Sequence, residues 1–280
     1  MASINCKGKL IDLNIPRVMG ILNLTPDSFY DGGSYKNEKD VLLKTEKMLT
    51  DGATFIDIGA YSSRPGADDI AVEVELARIV PIIELLVKEF PEILISVDTF
   101  RAKIAKETIE AGAALVNDIS AGFLDENMIS TVAIFKVPYI LMHMRGTPQT
   151  MKELNTYDNL VKEVLFYFSE RIKTAREAGI DDIILDPGFG FAKNIKQNFK
   201  MLDKFELFGI AELPVLAGLS RKSLIYKTLH IEIEEALNGT TVLNTIALQK
   251  GASILRVHDV KPAVEAVKLY NALKGVPAES

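Results

Sequence analysis

Eight times along this 280-residue chain a short apolar run, rich in β-branched residues, ends in polar or glycine residues and gives way to a helix-spaced segment. The runs are RVMGIL (17–22), FIDIGA (55–60), LISVDT (94–99), LVNDIS (115–120), YILMHM (139–144), DIILDP (182–187), PVLAGL (214–219) and ILRVHD (254–259). Several of the intervening helices end in Ala-Gly-Ile, Asp-Gly-Ala or Lys-Gly-Ala, where glycine caps the helix and leads into the next strand. A strand and a helix, eight times over, predict an α/β fold, a (β/α)8 TIM barrel, and the length suits one such barrel. Residues 1–15 precede the first unit and contain KGKLIDL, which predicts a short hairpin covering the bottom of the barrel. Without a linker, repeat or low-complexity segment, residues 1–280 are expected to form a single domain.

Composition narrows the setting. Hydrophobic residues make up 48% and charged residues 25%, an ordinary balance for a globular enzyme. The longest apolar stretch, 79–87, is interrupted by Pro81 and Glu84 and is too short to span a bilayer, so no membrane role is expected. The N-terminus lacks the basic-then-apolar layout of a secretory signal. Cys6 is the single cysteine, which excludes an intrachain disulfide and points to a reducing cytoplasm. The net charge of −6, with no basic run, argues against nucleic acid as a partner. An acidic chain that binds an anion must concentrate its cations locally.

A barrel of this kind builds its active site at the carboxyl ends of its strands. There the sequence places Asn23, Asp98, Asn117, His143, Asp186, Arg256 and His258, with the loops NLTPDSFYDGGSY, YSSRPGADD, DPGFGFAKN and SRKS. Arg256 and His258 are two apart in a strand and so share a face. Two readings stand for them: pairing with mouth carboxylates such as Asp259, or an anion site completed by Arg64 and Lys222. Asn23, with Asp27 and Asp31 in the following loop, reads either as an oxygen donor set for Mg²⁺ and a substrate diphosphate or as turn chemistry. Asp98, Asn117 and Asp186 read either as strand-end caps or as partners of a heterocycle offering adjacent N–H and NH₂ donors. GFGF lacks the spacing of a dinucleotide fingerprint; its glycines allow a sharp turn, and Phe189 or Phe191 offers an aromatic wall. His143 and His230 are expected to be structural.

Seven blocks in order, MGILNLTPDSFYDGG, DIGAYSSRPGA, SVDTFRAKIA, VNDISAG, LDPGFGFAKN, AGLSRKS and LRVHDV, resemble the dihydropteroate synthase family over nearly the whole chain. The resemblance implies a transferase of folate biosynthesis. It joins 6-hydroxymethyl-7,8-dihydropterin diphosphate to 4-aminobenzoate, with Mg²⁺, releasing diphosphate by an S_N1-like path. It further implies that Asp98, Asn117, Met142, Asp186, Gly218 and Lys222 hold the pterin. Asn23, Ser63, Arg64, Arg256 and His258 would hold the diphosphate, with Asn23 the metal ligand. Thr25, Pro26, Phe29, Ser63, Pro65, Phe191 and Ser223 would shape the aminobenzoate site, which sulfonamides also occupy. Catalysis would fall to Asp98, Asp186, Lys222, Arg256 and His258, and the assembly implied is a homodimer. On this reading Arg256→Ala weakens the diphosphate substrate and spares the bare pterin.

The chain departs from the family pattern at Tyr61-Ser62-Ser63-Arg64, where Glu-Ser-Thr-Arg is usual, and at Ala192, where glycine is frequent. Three rivals share features of the pattern. A corrinoid-type methyltetrahydrofolate methyltransferase barrel has similar pterin positions but no diphosphate to hold, so Arg64, Arg256 and His258 tell against it. A Schiff-base aldolase would use Lys222, which instead lies just beyond its strand. A non-catalytic pterin-binding module would release no diphosphate.

Overall fold

The structure is a computed structural model, and it describes residues 3–24, 35–61 and 70–276. Eight parallel strands form the barrel: β3 (Arg17–Asn23), β4 (Phe55–Gly59), β5 (Ile95–Asp98), β6 (Leu115–Asp118), β7 (Tyr139–Met142), β8 (Ile183–Asp186), β9 (Leu216–Ala217) and β10 (Ile254–Val257). Each pairs with its sequence neighbour, and β10 returns to β3, with Ile254 opposite Arg17. The remaining seam is a single parallel bridge, Leu185 to Val215, supported by the Leu185 N–H donating to Pro214 O at 2.9 Å. All eight expected strands are present. Seven are shorter than their apolar runs, whose last residues turn out of the sheet to begin the loops, whereas β3 runs one residue further, to Asn23.

Helices α1 (Tyr35–Thr50), α2 (Val72–Glu89), α3 (Ala102–Glu110), α4 (Met128–Phe135), α5 (Leu160–Glu177), α6 (Ile195–Asp203), α7 (Ser223–Leu229), α8 (Leu237–Gln249) and α9 (Val260–Leu273) follow the strands. Their apolar faces pack on the outward strand residues, among them Val18, Leu22, Ile56, Ile58, Val97, Val116, Leu141 and Leu185. Pleat alternation sends the other set inward. Met19, Phe55, Leu115, Ile140, Ile184, Leu216 and Ile254 form an apolar layer low in the barrel. Two residues further along, the inward positions of five strands are polar, Asp57, Ser96, Asn117, Asp186 and Arg256, while Ile21, Met142 and Gly218 stand on the other three. Most strands are thus hydrocarbon at the bottom and polar towards their carboxyl ends.

The N-terminal hairpin is as the sequence predicts. Strands β1 (Ser3–Cys6) and β2 (Lys9–Asp12) pair antiparallel, and Ile4, Cys6, Ile11 and Leu13 join the low apolar layer. Polar ties fix this plug: the Asn5 N–H donates to Asp182 Oδ2 at 2.9 Å, and Lys7 Nζ to Gly112 O at 3.2 Å. The chemistry is left to the opposite end.

Candidate active site

Two groups of side chains meet at the carboxyl end of the barrel. The first is centred on Arg256, which β10 projects inward from beside β3. Its Nε donates to Asp57 Oδ2 at 2.5 Å and its Nη2 to Asp98 Oδ2 at 2.7 Å, so one guanidinium binds β10 to β4 and β5. Asn117, aligned with Asp98 in the β5–β6 register, donates from Nδ2 to Asp57 Oδ2 at 3.2 Å. With its NH₂ turned to Asp57, its carbonyl oxygen lies on the other side of the amide. Asp57 is fully buried and went unremarked in the sequence, because it sits within the apolar run FIDIGA. The signal was there: it shares its strand face with Phe55, an inward position.

The second group stands on β8 and β9. Asp186, opposite Met142 in the register, accepts the Gly188 N–H at 2.7 Å. Lys222 comes from the loop after β9, donates from Nζ to Phe189 O, and lies 5.0 Å over the Phe191 ring. Gly218 lies between them: a Cβ there would stand 3.7 Å from Lys222 Nζ and 4.0 Å from Asp186 Oδ2. Hydrogen therefore keeps this face of the slot open. Met142 packs with Ile119, Met144, Met151 and Ala192, against which Phe100, Leu124 and Phe191 lie. Phe191 is the half-buried aromatic wall; Phe189 is buried and stacks on Phe205 at 6.1 Å.

Burial sets the electrostatics. It pushes Asp98 up to about 7, with Arg256 pulling the other way and Asp57 adding to the rise. Burial likewise raises Asp186, against Lys222 and the Gly188 N–H. Lys222 is pushed down to about 8 by burial, opposed by Asp186, and it also feels Arg256 and Asp98. For Arg256 burial works against the charge, but Asp57 and Asp98 prevail and hold it fully protonated. Two acids that resist ionising face a lysine that resists protonation and an arginine that keeps its charge, and shifts of this kind cluster at functional sites.

The remaining candidates fall as follows. Asn23 ends β3 half-buried, facing inward in step with Met19, and its side chain makes no hydrogen bond among the described residues. His258 is exposed; its Nδ1 meets Ser220 Oγ at 3.0 Å, and its backbone N–H donates to the same hydroxyl at 3.2 Å. Ser223 opens α7, half-buried. Asp259 pairs with Arg221, at 2.8 and 2.9 Å, and not with Arg256. Of the two readings held open for Arg256, the structure places its guanidinium against carboxylates, though those of Asp57 and Asp98. Thr25, Pro26, Asp27, Phe29, Asp31, Ser63, Arg64 and Pro65 lie outside the described residues. His230 caps α7 in a left-handed conformation.

Asp118, which the sequence places beside Asn117 at a strand end, and Lys193 had no role assigned from sequence. Asp118 faces outward, where it accepts the Tyr139 hydroxyl at 2.6 Å and the Ser120 and Gly122 N–H groups, shaping the loop after β6. Lys193 is only 8% exposed and lies against His143. Nothing in their spacing, 50 residues apart, marks them as neighbours. Tyr61, which replaces the usual glutamate, packs edge-on against Phe100 at 5.0 Å, and Gln149 Nε2 donates to its hydroxyl at 3.0 Å. It therefore links the ends of β4 and β7 across the mouth.

Residues 19–258 match the family model described as pterin binding enzyme. The dihydropteroate synthase of Escherichia coli K12 is 42% identical over 268 residues, 95% of this chain and 94% of that protein. The chain belongs to the dihydropteroate synthase family. These are transferases of folate synthesis, and members of the family have closely similar structures. The Yersinia pestis enzyme with a sulfonamide drug superposes with a TM-score of 0.91 at 40% identity, covering 98% of this chain and 99% of that one. The Xanthomonas albilineans synthase in complex with 7,8-dihydropteroate gives 0.87 at 37%, covering 98% and 100%.

Proposed function

We infer that the chain condenses 6-hydroxymethyl-7,8-dihydropterin diphosphate with 4-aminobenzoate, giving 7,8-dihydropteroate and diphosphate. Within a dihydropteroate synthase family member, the observation that carries this reading is one slot. Asp98, Asn117 and Asp186 stand at inward positions at the carboxyl ends of β5, β6 and β8, and Lys222 lies across Gly218 from Asp186. Carboxylates accept the paired N–H and NH₂ donors of a pterin edge, the amide oxygen of Asn117 accepts another, and the Lys222 ammonium donates to the ring's acceptor atoms. Met142 and Phe191 supply apolar contact for the ring faces.

The bond that breaks joins the pterin methylene carbon to the diphosphate oxygen, and its electron pair leaves with the diphosphate. The cation left on the methylene is shared with the pterin ring, where Asp98 and Asp186 face the growing charge. The amine nitrogen of 4-aminobenzoate then bonds to that carbon and gives up a proton. No covalent bond to the protein is needed; the residues contribute position and a fixed field. His258 and the Arg256 guanidinium are assigned to the diphosphate, as is Arg64, which lies outside the described residues. Phe191 and Ser223, with Thr25, Pro26, Phe29, Ser63 and Pro65, are assigned to the aminobenzoate.

Mg²⁺ fits the donor set. Asn23 offers an inward oxygen that makes no hydrogen bond to the described residues, and no group of three or more His, Cys, Asp or Glu able to hold a metal occurs among them. Mg²⁺ takes few protein ligands where phosphate and water complete its shell. Bound there, it would neutralise charge on the departing diphosphate. For assembly, we assign the homodimer contact to the α8–α9 face, where Leu269 and Leu273 are each 74% exposed beside a groove of about 670 Å³. A reducing cytoplasm suits the one buried thiol.

The test is diphosphate release from the pterin diphosphate with Mg²⁺, with and without 4-aminobenzoate, following dihydropteroate by mass. Product formed in step with diphosphate is expected. Pterin binding without product would move the chain to a binding role. Asp186→Asn is expected to lower kcat by about 10²–10³, the cost of losing one preorganised electrostatic group; near-normal kcat/KM would remove Asp186 from this role.

A further inference from the structure

Lysines are almost never buried without a charge partner, and Lys193, whose hydrogen-bond partners among the described residues include no carboxylate, feels the Asp186 charge only from beyond contact distance. Its Nζ instead meets three acceptors: His143 Nδ1 at 2.9 Å, Gly188 O at 3.0 Å and Phe191 O at 3.0 Å. Burial, with Lys193 adding to it, keeps the His143 imidazole neutral, and burial lowers Lys193 itself to about 7 against the pull of Asp186. In its ammonium form Lys193 finds a partner for each of its three protons, with Nδ1 as the accepting nitrogen. Two of the acceptors belong to the turn that Lys193 itself ends, residues 187–193. The third belongs to the residue that follows β7. The side chain thus closes the turn on itself and fastens it to the barrel wall.

That turn bears directly on the slot. Its Phe189 carbonyl receives Lys222, and its Phe191 ring lies under the same ammonium. The turn has little room to adjust: Gly188 has φ +69°, and a Cβ there would fall 2.1 Å from His143 O. Asn198 holds the outer side, accepting the Gly190 N–H at 2.7 Å and donating to Lys193 O at 3.2 Å.

We propose that Lys193, held by His143, is a positioning residue for the pterin slot: it sets the 187–193 turn and so places Lys222 and the Phe191 wall. A merely space-filling role would be met by an apolar side chain at no desolvation cost. The proposal rests on reading the slot as a pterin site, and the experiment separates the two.

Dissociation constants for 6-hydroxymethylpterin, and steady-state constants for its dihydro diphosphate, are measured for the wild type, Lys193→Met, His143→Leu and His143→Asn. Asparagine keeps an acceptor where Nδ1 lies; leucine does not. Lys193→Met and His143→Leu are expected to weaken pterin binding about 10- to 100-fold, the scale on which small misplacements act, with KM rising more than kcat falls. His143→Asn recovers most of that loss. Unchanged pterin affinity in folded Lys193→Met, or equal affinities for the two His143 variants, overturns the proposal. If Lys193→Met does not fold, the His143 pair decides. A wild type that binds no pterin overturns the slot reading itself, whereas wild-type binding with unaffected variants overturns only the role of Lys193.

Discussion

Arg256 holds Asp57 and Asp98 at once, and the geometry changes what its removal should do. With Nε and Nη2 committed to the two carboxylates, Arg256→Ala releases Asp98 as well as taking a charge from the diphosphate side. Affinity for the bare pterin should therefore fall along with that for the diphosphate, contrary to the sequence-based expectation; equilibrium binding of both ligands checks it. The same residues set a pH window. As pH rises through about 7, Asp98 ionises and becomes an acceptor for the pterin; above about 8, Lys222 loses its proton. A bell-shaped kcat/KM for the pterin substrate is expected, its acid limb absent from pterin binding by Asp98→Asn. Linkage gives an independent check. Asp98 is raised from its ordinary 3.8 to about 7, so the folded chain holds a proton that the unfolded chain has lost. The stability that this group contributes is present below 3.8 and is lost as pH climbs towards 7. Urea unfolding should show wild-type stability falling relative to Asp98→Asn across that interval.

Among the elements, α2 carries the plainest local conflict. Pro81 lies inside this 18-residue helix, where it can donate no backbone hydrogen bond, on an exposed position. Pro81→Ala should stabilise the protein by about 1 kcal/mol, less than the ~3 kcal/mol host–guest figure because the helix already accommodates the ring; thermal denaturation measures it. Elements were the most legible level of the sequence. Each strand announced itself through a β-branched run, and the hairpin through its position ahead of the first unit. The end of the barrel that carries chemistry followed from the polar residues closing each run. Asp57 was legible only through strand parity, and Lys193 not at all, because its partners come from loops that the fold alone brings together. Ala192 shows a third limit: its φ of +48° explains why glycine is frequent there, but a backbone angle is not written in the residue type.

At the scale of the whole molecule, stability and chemistry occupy opposite ends. Ile4 is 1% exposed, packed among Met19, Phe55 and Ile254 beneath the barrel. Ile4→Ala should cost about 2–5 kcal/mol, as large-to-small core changes do, while KM for both substrates stays as in the wild type. A matched shift in KM would show that the ends are coupled. The hairpin that carries Ile4 also carries Cys6, fully buried, with its thiol pushed up to about 12 by burial and by Asp182. While the hairpin is seated, the chain's one thiol is neither reachable nor ionised, and thiol chemistry follows the thiolate. Consumption of an alkylating or disulfide reagent therefore counts departures of the plug, one molecule at a time, with no label added. The barrel carries its own tamper seal.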